Sequence, residues 1–135
     1  MKNAGPNVSS VLSSTRKNFV LSLDGCLCEI NPERASKITS KVALYAKVVP
    51  GSREWINDLR KKGHNVCIIT SRPKRLQNAT IKWLEQNGFS FDSLIFGKPI
   101  AKEYHYVDDR HVQATRFEGV YTRLVRKEHA IRVFS

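Results

Sequence analysis

The stretch FVLSLDGCLCE, Phe19 to Glu29, carries an apolar run into Ser22, Leu23, Asp24 and Gly25. It has the pattern of a buried strand that ends in a polar tip and a glycine turn. Chains that place a reactive carboxylate on such a tip ordinarily put one acid two residues before another. Here the first of those positions is Ser22 and the second is Asp24. The fold, and the question of whether this tip is chemically competent, both turn on that pair.

Working outward, apolar runs alternate with helical patterns. PGSREWINDLRKKGH reads as a helix, with Ser52 as N-cap, Trp55, Ile56 and Leu59 on one face and Gly63 as the stop. NVCIIT is a buried strand rich in β-branched residues. RLQNATIKWLEQNGF is a second amphipathic helix, with Leu76, Ala79, Trp83 and Leu84 inward and Gly88 at its end. FDSLIFG gives a third strand and EYHYVDD a fourth, and AIRVF near the end of the sequence a last short one. The connection over residues 26–48 runs into KVALYAKVV, whose apolar positions suit a short hairpin or an irregular flap.

Strands separated by helices of this size imply parallel β-α-β crossovers and a three-layer α/β sheet. Ligands collect at the C-terminal edge of such sheets. The strand ends there would carry Ser22 and Asp24, then Thr70, Ser71 and Arg72, then Lys98, then Asp108 and Asp109. Carboxylates of this kind are hard oxygen ligands suited to Mg²⁺. The Thr70 hydroxyl, the loop after it and the Lys98 ammonium suit a phosphate group.

These motifs, LSLDGCLC, IITSR, GK and YVDD, occur in the order and approximate spacing of the four motifs of the haloacid dehalogenase (HAD) superfamily, which the chain resembles from about Phe19 to Asp109. The stretch from Val49 to Asp109 is most similar to the small, cap-poor HAD proteins. The resemblance implies a Rossmann-like HAD fold with a parallel central sheet and a minimal cap insertion over residues 19–135, after a basic Ser/Asn-rich tail over residues 1–18. It places Ser22 at the position of the nucleophilic acid and Asp24 at that of the general acid/base. Thr70, Ser71 and Lys98 fall at the phosphate-binding positions. Asp24, through its backbone carbonyl, and Asp108 and Asp109 fall at those of the Mg²⁺ ligands, and Cys26 stands where the family commonly has Thr. Serine lacks the charge of the missing acid, so the aspartyl-phosphate route is closed and Mg²⁺ binding is weakened. As a substitute nucleophile, Ser22 would need Asp24 as its base.

Composition narrows the rest. The 135 residues fit one domain of ordinary globular character, with 41% hydrophobic and 26% charged residues. Cys26, Cys28 and Cys67 are too few for a disulfide framework and point to a reducing, intracellular setting, the cytoplasm or else a mitochondrial matrix. No apolar run reaches the ~20 residues needed to span a bilayer. Lys and Arg number 23 against 12 acids, a net charge of +11 that favours polyanionic partners. Lys61, Lys62, Lys74 and Arg75 are the candidates for a nucleic-acid or acidic-partner face.

Three functional readings follow. The preferred one is a degenerate HAD-like domain without phosphatase turnover, a binding or structural module in an RNA or ribonucleoprotein assembly. The second is an active Mg²⁺-dependent phosphatase of a small phosphorylated metabolite or sugar phosphate. The third is a pseudoenzyme that senses a phosphorylated ligand.

Overall fold

In the computed structural model, residues 12 and 15–121 are described. The expected tail over residues 1–18 lies mostly outside them, and the expected last strand AIRVF entirely so. Three strands form one parallel sheet in the order β1-β2-β3: β1 (Asn18–Ser22), β2 (Asn65–Thr70) and β3 (Ser93–Phe96). The central place falls to NVCIIT because it is the most continuously apolar of the three. Five of its six residues are buried. Its register sets Ser22 beside Ile69 and Thr70 beside Phe96, so the polar residues at the strand ends come level at one edge. This is the mixed α/β fold expected.

The helices follow their apolar stripes. Helix α2 (Ser52–Lys61) turns Ile56 and Leu59 inward, and α3 (Gln77–Gln86) buries Thr80, Trp83 and Leu84. A 3₁₀ turn over Lys74–Leu76 leads into α3 and buries Leu76. Trp83 stacks on Phe89 with centroids 5.3 Å apart, and its indole N–H donates to the Ala46 carbonyl at 2.7 Å. That bond satisfies a polar group which would otherwise be stranded in the core. Among the described residues no helix is long and apolar enough to cross a membrane.

Three expectations are corrected. Ser52 is not the N-cap of α2. Gly51 holds that place in the left-handed conformation at φ 84°, and Ser52 is buried inside the helix with its hydroxyl donating to the Leu27 carbonyl at 3.3 Å. A side chain on Gly51 would also bring its Cβ within 3.2 Å of Tyr121. The segment read as a hairpin or flap instead forms a short helix, α1 (Ser40–Leu44). The Thr39 side chain caps it by accepting from the Val42 N–H at 3.1 Å. Val48 then makes a single antiparallel bridge to Cys28. Finally, EYHYVDD forms no strand. Residues 103–109 are irregular and exposed, with Tyr106 54% and Val107 78% accessible. Their strand-like composition is outweighed by the lack, among the described residues, of a partner ladder to satisfy their backbone groups.

Candidate functional site

The level strand ends floor a pocket of about 350 Å³. Ser22, Asp24, Thr70, Ser71 and Lys98 all line it. With them are Cys26, Glu33 and the apolar side chains of Pro32, Ile69, Ile100 and Phe117. The loop that follows β1 is tightly wound. Leu23 donates its N–H to the Ile69 carbonyl at 2.9 Å, and its own carbonyl receives the Leu27 N–H at 2.8 Å. Gly25 makes the turn possible with φ 85°. Lys98 is tied in by its backbone N–H, which donates to the Thr70 carbonyl at 3.0 Å.

Asp24 is buried, and its carboxylate is surrounded by donors. Arg72 reaches Oδ1 through Nε at 3.1 Å and Nη2 at 2.8 Å, and the Cys28 thiol approaches the same oxygen at 3.4 Å. Thr70 donates its hydroxyl to Oδ2 at 2.9 Å. Arg72 is itself 0% exposed, and its Nη1 donates to the Thr80 hydroxyl of α3 at 2.9 Å. A buried charge survives only when paired and hydrogen-bonded, and both conditions are met here. The position expected to supply a general acid is thus built into the fold as one half of an internal ion pair.

Ser22 has a different neighbour. The Lys98 ammonium donates to its hydroxyl at 2.5 Å and sits 4.6 Å from the centroid of the Tyr104 ring. Among the described residues Lys98 has no carboxylate partner. The backbone N–H groups of Asp24 and Ser71, both pocket-lining residues, likewise find no acceptor among the described residues. Burial raises the Cys26 thiol above its usual range, against the opposing pull of Lys98, with the Asp24 charge adding to the rise. Burial and then the Asp24 charge raise Cys28 much further. Neither thiol is activated as a nucleophile.

The remaining predicted residues do not join the pocket. Asp108 accepts from the Tyr106 hydroxyl at 2.6 Å and from the Arg110 N–H at 3.1 Å, a local turn that holds its carboxyl below the usual range. Asp109 has a side chain 91% exposed beside Arg110. Neither lines the pocket. Among the described residues no group of three His, Cys, Asp or Glu could hold a metal ion, so the donors present do not make up the expected Mg²⁺ site. Lys61 and Lys62 lie at the end of α2, before β2 begins, whereas Lys74 and Arg75 follow its C-terminal end. Six strand residues span about 20 Å, so the four are not one patch. Arg75 is moreover occupied with the Ser36 and Ile38 carbonyls, at 3.3 and 3.1 Å.

The sequence places Arg72 at the strand-end edge without giving it a role, and it does not point to Thr80 or Cys28. The signal for Arg72 was available: an acid predicted at a buried strand end requires a buried cation, and Arg72 stands two residues beyond the tip of the central strand.

The parallel sheet, with Ser22, Asp24, Thr70 and Lys98 gathered at its C-terminal edge, is that of a HAD-superfamily domain, as the matching family model also has it. The chain belongs to the LNS2 domain family described as PITM 1-3, LNS2 domain, whose model matches residues 19–117. A putative nucleotidase of Bacillus cereus is 32% identical over 62 residues, which are 44% of this chain. The chain spans only 33% of that relative's length. Among solved structures, an MCSG target from Vibrio cholerae superposes with TM-score 0.51 at 23% identity, covering 71% of this chain and 82% of that one. A chain of the Pnkp1/Rnl/Hen1 RNA repair complex gives 0.50 at 17% identity, with 70% and 30% covered. At these identities the structural likeness concerns the fold.

Proposed function

We propose that this domain binds a phosphorylated ligand in its strand-end pocket without hydrolysing it. The observation that carries the reading is the pairing at the floor: Lys98 meets a neutral Ser22 hydroxyl, while Asp24 is committed to Arg72. A serine needs a base to attack phosphorus, and the nearest acid has its oxygens directed at Arg72, Thr70 and Cys28. What remains suits binding: an ammonium without a counter-charge and two backbone N–H groups without acceptors among the described residues, beside the Ser22 and Ser71 hydroxyls. The RNA reading has less support, because the basic residues proposed for it lie at opposite ends of β2.

The test is a pair of measurements with p-nitrophenyl phosphate. Saturable binding, followed by calorimetry, is expected, with no release of p-nitrophenol beyond the buffer rate in the presence of Mg²⁺. Turnover that disappears in Asp24→Asn would overturn the reading in favour of an active phosphatase.

A further inference from the structure

We infer that in this pocket Arg72 takes the place of a divalent cation, so that a phosphate group is received by Lys98 with no metal present. The second half rests on the phosphate-binding reading above. The first half, the exclusion of metal, does not depend on that reading and stands on the side-chain charges in and around the pocket, the Asp24–Arg72 pair first among them.

Mg²⁺ demands near-octahedral oxygen ligands and is usually held through one or two carboxylates. An ionised carboxylate offers about four lone-pair sites. In Asp24, Oδ1 already faces three donors, from Arg72 twice and from Cys28, and Oδ2 takes the Thr70 hydroxyl. An ion seeking the last lone pair would sit beside a guanidinium that cannot deprotonate. Nor can Arg72 swing aside, because it has no exposed surface and is held from α3 through Thr80. Ser22 brings no charge and is already engaged by an ammonium. Among the described residues the only other carboxylate of the lining is Glu33, on an exposed 3₁₀ turn at the rim.

The charge inventory therefore differs in kind from that of a metal-assisted site. The floor is neutral, Asp24 against Arg72, and in the lining around it Lys98 and Lys102 outnumber Glu33. Such a field attracts a phosphate dianion and repels a divalent cation.

The experiment uses the full chain with two probes. Inorganic phosphate is titrated by ³¹P NMR, once with EDTA and once with saturating Mg²⁺. Mn²⁺ alone is titrated by electron paramagnetic resonance. The affinity for phosphate is expected to agree within about twofold between the two conditions, which means negligible coupling to the metal. Tightening of about tenfold or more with Mg²⁺ would overturn the inference. So would a Mn²⁺ site in the wild type that Asp24→Asn removes. No phosphate binding in either condition would overturn the proposed function, while the Mn²⁺ titration would still decide the exclusion of metal.

Three variants isolate Arg72. Ser22→Asp alone is expected to gain no Mn²⁺ site, because the new acid pairs with Lys98 while Arg72 still holds Asp24. A strong Mn²⁺ site from that change alone would count against the role given to Arg72. Ser22→Asp combined with Arg72→Gln is expected to bind Mn²⁺ about tenfold or more tightly than Ser22→Asp, and Ser22→Asp with Arg72→Lys is expected not to. A folded Gln double variant without that gain would overturn the inference. Should it fail to fold, the wild-type and Ser22→Asp titrations decide.

Discussion

The floor and the far wall of the pocket are made from similar residues and have opposite characters. The floor joins the ends of β1 and β2, where Leu23, Asp24, Thr70 and Arg72 are all buried. The wall and the segment beyond it, residues 98–120, carry comparable Tyr, Val and Ile side chains, yet Ile100, Tyr104, Tyr106, Val107 and Val112 are exposed. In the floor Leu23 is tied into the ladder through the Ile69 carbonyl, and the Asp24 charge meets that of Arg72. Past Lys98 the described residues join none of the three strands, and their acids meet only near sequence neighbours. Apolar and acidic residues thus acquire a structural role through their partners rather than through their type.

The largest expected break in that contrast is Arg72→Ala. It strands the Asp24 charge in the core and should cost about 3–5 kcal/mol of stability by urea unfolding. A loss below ~1 kcal/mol would show that the floor is not held by its ion pair. Next comes Lys98→Gln, at the junction of the two regions. It should leave the unfolding midpoint nearly unchanged. It should also weaken phosphate binding by about ten- to a hundredfold, the worth of one charge-assisted hydrogen bond.

A third effect is read in alkali. Burial and the Asp24 charge raise the Cys28 thiol far above its ordinary value of 9.0. The folded state therefore keeps a proton that the unfolded state releases. That contribution is fully present below about pH 9 and is lost as pH rises beyond it, at about 1.4 kcal/mol per pH unit for one proton. Urea unfolding of Cys28→Ala from pH 8 upward should show a slope shallower by about that amount. An unchanged slope would mean that the thiol titrates normally. The smallest effect is expected at the outer segment. Asp108→Asn and Asp109→Asn should each change stability by no more than about 0.5 kcal/mol, and leave phosphate binding as it is. A marked loss of binding in either would draw the segment back into the site.

How far the sequence discloses the molecule follows the same division. β2, α2 and α3 are legible because burial imposes a period on their side chains: Ile56 and Leu59 one turn apart, Trp83 and Leu84 on the inner face of α3. The convergence of Ser22, Asp24, Thr70, Ser71 and Lys98 is legible because parallel strands end at a common edge. EYHYVDD misleads because strand composition states a preference, whereas a strand requires a neighbour. The roles of Gly51 and Thr39 depend on local geometry that residue type leaves open, since Ser52 and Gly51 are both acceptable caps. Arg72 is legible only through its neighbour: a buried acid at one strand tip calls for a buried cation, and Arg72 stands just beyond the next tip.

The Asp24–Arg72 pair also bears on how this domain can change over evolutionary time. Removing either member leaves the other as an uncompensated buried charge, so single replacements at these positions are disfavoured whatever the domain binds. The two are expected to be inherited as a unit, and a viable departure would replace both at once with neutral side chains of similar volume. Ser22, half-buried and held by one flexible ammonium, is under no such obligation. In related chains, residues 24 and 72 should covary while position 22 drifts independently of them.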